Sequence, residues 1–147
     1  MAVTDWMPTL KAKVTEITEI LQVHTMDELP ATIQVFPSAL ITVLSGTFEY
    51  SVGGPCLDFT TVQVAIYLAG QILPEAYGGA VPLIQKMRDK LAANIKLGGL
   101  VDHILPAEGL SYEGPGSLRY GDKEGLIGIV FRYTVKENVT GDFVVAA

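Results

Sequence analysis

Cysteine is nearly absent from this 147-residue chain, where Cys56 stands alone, so an internal disulfide is excluded and nothing points to an oxidising compartment. Histidine is almost as scarce. His24 and His103 stand at no spacing that would pair either with Cys56 or build a zinc site, and a catalytic thiol needs both a base and an electropositive setting. Cys56 is therefore read as an inert small hydrophobe. Asp102, His103 and Glu108 could hold a divalent ion only weakly, and they are read as solvated loop residues.

Catalytic motifs are missing too. The chain has no Gly-x-Ser-x-Gly elbow and no phosphate-binding Walker loop. Gly114-Pro-Gly-Ser-Leu-Arg119 lacks the third glycine of a dinucleotide fingerprint and is read as a turn. Carboxylate pairs such as Asp27 and Glu28 lie in charged connections, and acid–base work would need apolar surroundings that shift one of the pair. The sequon Asn138-Val-Thr140 would matter only in a secreted protein. These absences predict no enzyme, no cofactor and no metal.

No segment approaches the ~20 uninterrupted apolar residues of a membrane helix, so no membrane partner is expected. Met1-Ala-Val-Thr-Asp5 has neither a basic start nor an apolar stretch, and production in the cytoplasm without an export signal is the expectation. Even so, 49% of the residues are apolar, more than a soluble monomer of this size needs, which suggests subunit contacts. A chain of this length forms one domain, residues 1–147, and can bury roughly 70% of the surface its unfolded form exposes.

Basic residues are few, ten against sixteen carboxylates, giving a net charge of −6. Such a protein is a poor general binder of DNA, because phosphate neutralisation by Lys and Arg supplies most of that affinity. The charge is also segregated: residues 1–75 carry −6, residues 76–100 carry +3 and residues 101–147 carry −3. A subunit with one basic element and an acidic remainder can pair head-to-tail with its own copies, the geometry that closes into rings.

Periodicity supplies the elements. Met7, Leu10, Val14, Ile17 and Leu21 recur at helical spacing, predicting a helix over 5–23 with Asp5 as N-cap, Pro8 in its first turn, and Lys11, Thr15, Glu19 and Gln22 on its outer face. Short strands are expected at Thr32–Phe36 and Leu40–Leu44, separated by Pro37. An antiparallel hairpin then joins Thr47–Val52 to Asp58–Leu68 through Gly53-Gly-Pro55. A second helix is predicted from Pro82 to Gly98-Gly99, with Ile84, Met87, Leu91 and Ile95 as its apolar stripe. The stretch 100–116 is either a long functional loop or a loop interrupted by a short strand around His103–Leu105. A final hairpin pairs Gly116–Gly121 with Leu126–Val139, where Ile127, Ile129, Phe131, Tyr133 and Val135 share one face and Arg132, Thr134 and Lys136 the other. The fold class is α+β: an antiparallel or mixed sheet with long hairpins, packed by two helices.

Lys86, Arg88, Lys90 and Lys96 form a basic face on the second helix, read either as solvated surface or as a contact with acidic surface on a neighbouring copy. Tyr112 and Tyr120 either cover core edges or anchor an interface. Candidate interface residues are thus Lys86, Arg88, Lys90, Tyr112 and Tyr120.

The order of these elements, with Leu29-Pro30, the Gly-Gly-Pro hairpin, the helix ending at Gly98-Gly99, Leu118-Arg-Tyr-Gly121 and Leu126-Ile-Gly-Ile-Val-Phe-Arg-Tyr-Thr-Val135, resembles the tail terminator (minor tail, tail completion) proteins of long-tailed bacteriophages. The resemblance spans nearly the whole chain and rests on layout. It implies a structural virion protein at the neck end of the tail, forming a hexameric ring that caps the tail tube and stops its polymerisation. The implied partners are other copies of the chain, the tail tube protein and a head connector or neck protein, with DNA passing transiently through the lumen. It implies no catalysis and no cofactor. Another head–tail adaptor ring protein, or a small-molecule-binding α+β domain, are the competing expectations.

Overall fold

The computed structural model describes residues 3–70 and 74–138. The chain runs α1 (Val3–Thr15), β1 (Gln22–Thr25), β2 (Ser38–Tyr50), β3 (Cys56–Ala69), α2 (Pro74–Ala92), β4 (His103–Pro106), β5 (Tyr112–Tyr120) and β6 (Lys123–Asn138), with 3-10 turns at Met26–Glu28 and Leu97–Gly99. The six strands form one mixed sheet in the order β1-β2-β3-β6-β4, and β5 also pairs with β6. The fold is α+β. Only β1 and β2 are parallel; β2–β3, β3–β6, β4–β6 and β5–β6 are antiparallel.

The two faces of the sheet are covered by different means. Ala39, Ile41, Val62, Val64, Ile66, Ile129, Phe131, Tyr133 and Val135 point to one side and are buried beneath Trp6, Leu10 and Val14 of α1 and Leu83, Met87 and Leu91 of α2. The parity assigned to the last strand therefore holds. Because β1 and β2 are parallel, the chain between them must cross from one end of the sheet to the other. Residues 29–37 make that crossing on the opposite face. There Ile33 and Phe36 join Leu118 and Tyr120 over a second cluster of Leu40, Ala65, Tyr67, Leu126 and Val130.

Several boundaries differ from expectation. The first helix ends at Thr15 rather than 23, and Asp5 lies inside its first turn. From Val14 onward the sequence is dense in β-branched residues, which lose side-chain freedom in a helix. Tight turns replace the helix, with Ile17 N–H donating to Val14 O and Ile20 N–H to Ile17 O. Ile17 and Ile20 stay buried while Leu21 is exposed, and residues 22–25 become an edge strand. The strand expected at Thr32–Phe36 is absent, its residues serving as the irregular cover just described.

The strands expected at 40–44 and 47–52 are one strand, β2. Its register shifts between Val43 and Ser45, leaving Leu44 as the extra residue of a bulge. Ser45-Gly46 is thus a bend, not a break, and a Cβ on Gly46 would lie 3.1 Å from the Phe59 carbonyl oxygen.

Helix α2 begins eight residues before Pro82, which sits inside it with its ring exposed. The carbonyl deprived of a donor there belongs to Gly78, itself exposed, so water can satisfy it. The helix stops at Ala92. The chain then tightens to Leu97–Gly99, where Leu97 is held at φ 46 and is fully buried. The optional strand near His103–Leu105 is present as β4, and β5 starts at Tyr112, four residues earlier than Gly116. Val139 and Thr140 of the sequon lie outside the described residues.

Candidate subunit interface

The five candidate residues fall in three separate places. Lys86, on α2, forms an ion pair with Glu19 in the turns after α1, and this contact holds the Glu19 carboxyl below the usual range. Lys90 lines the same cleft, with Glu16, Asp89 and Asn94. The charge that would have faced a neighbour is here engaged within the chain. Lys96 is exposed beyond the helix end.

Tyr120 is on the opposite face of the sheet. Its hydroxyl donates to the Pro30 carbonyl, and its ring meets Tyr67 edge-on at 5.9 Å. The Tyr67 hydroxyl in turn donates to Arg119 O at 3.0 Å. Tyr120 thus fastens the crossing segment to the sheet.

Arg88 and Tyr112 do come together. They border a groove of about 370 Å³ between the second half of α2 and the β4–β5 edge of the sheet, lined chiefly by Ile84, Leu91, Ile95, Leu105, Phe131 and Tyr133. Tyr112 lies tilted over Phe131, ring centres 6.1 Å apart, and remains half-exposed. Ile95 and Leu105 are each about two-fifths exposed, at 39% and 41%. Ile95 was expected within the apolar stripe of a continuous helix. Because α2 ends at Ala92, it turns outward to the rim instead.

The other conspicuous apolar surface was not singled out from sequence. It lies on the end of β2 beyond the bulge. Phe48 is 73% exposed and Val52, just past the strand, 84%. Phe48 stacks on Tyr50 at 5.5 Å, and the Tyr50 hydroxyl donates to Asp58 on β3 at 2.8 Å. On this arm β3 is paired with both β2 and β6, out to Leu57↔Asn138, so the strand carrying Phe48 is a supported edge rather than a loose ribbon. The alternation of Phe48, Tyr50 and Val52 beside Gly53-Gly54 was the available signal. It marks apolar residues near the hairpin turn that neither helix covers.

Level with Phe48, on the far side of Asp58, Glu137 is buried with 3% exposure, and one carboxylate oxygen accepts from Trp6 Nε1 at 2.8 Å. Its other oxygen has no partner among the described residues. Burial, with added repulsion from Asp58 and Asp5, pushes the Glu137 carboxyl up.

Cys56 is buried, and His24 contacts Gln22 at 3.3 Å. Among the described residues no three His, Cys, Asp or Glu side chains are grouped to hold a metal, and no helix is long and apolar enough to cross a membrane. Compared with known proteins, the chain matches no family model and no curated protein, so its own surfaces are what bear on its role.

Proposed function

We propose that the chain is a ring-forming structural subunit of a long-tailed bacteriophage, a tail terminator that caps the tail tube and offers the surface to which the head joins. The observation that carries this reading is the pair of unfilled apolar surfaces on opposite edges of one sheet, the Phe48–Val52 arm on β2 and the groove beside β4 and β5. Such surfaces on a small subunit are what assembly covers. The layout resemblance supplies the setting. A net charge of −6 suits a lumen through which DNA must slide, since a strongly basic lining would hold phosphates.

Ring closure caps a tube because the ring's outer face no longer repeats the docking surface of the tube subunit. The test is to co-express the chain with the tail tube protein and image the product. Tubes of finite length, each ending in a ring of this chain, are expected; tubes of unchanged length with no bound chain would refute the assignment. Binding instead to the head-side connector alone would mark an adaptor ring. The groove also falls within the ~300–1,000 Å³ range of small-ligand sites. A folded chain that is monomeric at all concentrations and retains an apolar small molecule would favour that second reading.

A further inference from the structure

We infer that the β2 arm of one copy seats in the α2–β4 groove of the next, with Phe48 and Val52 as the inserted side chains. This rests on the self-assembly reading above and names its contact. In strand order, β2 and β4 lie on opposite sides of the central pair β3–β6. The arm's apolar residues and the groove are therefore separated by the width of the sheet, and a chain cannot fill its own groove. A second copy can. The contact is heterologous, each subunit giving an arm and a groove, which is the arrangement that propagates around a ring.

The chemistry of the two surfaces matches. The groove is apolar along its floor through Leu91, Phe131 and Tyr133, and its rim carries Arg88. The arm from 44 to 57 presents Phe48 and Val52 on one face; its own charge, Glu49, projects from the other, and the carboxylate on the Phe48 face is the half-exposed Asp58 of β3, directly across the pairing from Phe48. Arg88 is two-thirds exposed, and its only described partner is its neighbour Asp89, at 3.2 Å from Nε, so its remaining guanidinium donors are open to an incoming carboxylate. Apolar anchors entering a pocket, with an opposite-charge pair at the edge, follow the usual anatomy of an interface centre and rim.

A mixing experiment tests the arrangement. Phe48→Ser with Val52→Ser removes the arm's anchors, while Ile95→Glu with Leu105→Glu spoils the groove; all four positions are exposed enough for the fold to survive, which circular dichroism checks. Each double variant alone should remain monomeric at concentrations where the parent forms rings, a shift of roughly tenfold or more in the concentration needed. Mixed one to one, they should form dimers and nothing larger, because one intact groove meets one intact arm and the remaining pair is dead. Native mass measurement reads all three samples. If the arm variant forms rings like the parent, the groove takes some other segment, and the inference fails while ring formation stands. If the parent itself never associates, both fail together. If both variants are monomeric but their mixture yields no dimer, the two surfaces do not meet and the inference is overturned.

Discussion

Glu137 is a carboxylate held in surroundings that suit a charge poorly. A carboxylate buried with one donor, Trp6 Nε1, is raised in pKa, so the folded protein binds its proton more tightly than the unfolded chain does. Its favourable contribution is complete below the unfolded value, about 4.3, and is lost as pH rises through the folded value. Glu137→Gln keeps an acceptor for Trp6 and removes the charge. The variant should melt at a higher temperature than the parent at pH 7 to 8, and the gap should close towards pH 4; an equal gap at both pH values would show that burial of the charge is not the cause. Gly128 gives a second expectation at this scale. A Cβ there would lie 2.4 Å from the Ile66 carbonyl oxygen and 2.5 Å from Leu118 Cδ1, with backbone on one side unable to yield. Gly128→Ala should destabilise by about 1–3 kcal/mol, in line with overpacking elsewhere, as read by denaturant unfolding.

Among the elements, α2 and β6 meet through Leu91 and Phe131, both nearly fully buried. Truncating either to Ala should cost about 2–5 kcal/mol, measured by the same unfolding midpoint. Those two positions were legible from period alone, as were the parity of β6 and the hairpin through Gly53-Gly54. What period could not reveal is where an element stops. Ile17 is buried whether the backbone is helix or tight turn, so the stripe ran past the end of α1 without marking it; beyond that point Ile20 is buried in place of Leu21, the residue expected on the stripe. Ile33 and Phe36 alternate with nothing, because they pack from an irregular segment onto the second face of the sheet. The candidate interface was legible in part for the same reason. Charge showed that α2 is basic, but only packing shows that Lys86 is taken by Glu19 while Arg88 stands at the groove. The two should therefore separate on reversal: Lys86→Glu should lower the melting temperature only slightly, as expected for an exposed pair, and leave assembly alone. Arg88→Glu should leave the melting temperature unchanged and weaken association, more at low salt than at high, because exposed charges are screened over about 8–10 Å at physiological ionic strength.

At the scale of the whole molecule, the sheet is organised around its last described strand. β6 runs sixteen residues, borders β3 along almost its full length, and carries β4 and β5 end to end on its other side. During synthesis this strand emerges after every other described strand. Until it does, β3 has an open apolar edge, β4 has no partner in the sheet, and the core beneath α2 lacks Ile129, Phe131, Tyr133 and Val135. Long-range pairing of this kind is slow, and unpaired edges attract other chains. A nascent chain halted at residue 122 should thus be protease-sensitive and prone to aggregate, whereas one released through residue 138 should gain protection in a single step. On the proposed assembly, a subunit would become competent to meet its neighbours only when its own central seam has closed, and an incomplete chain would bring neither a finished arm nor a finished groove to a growing ring.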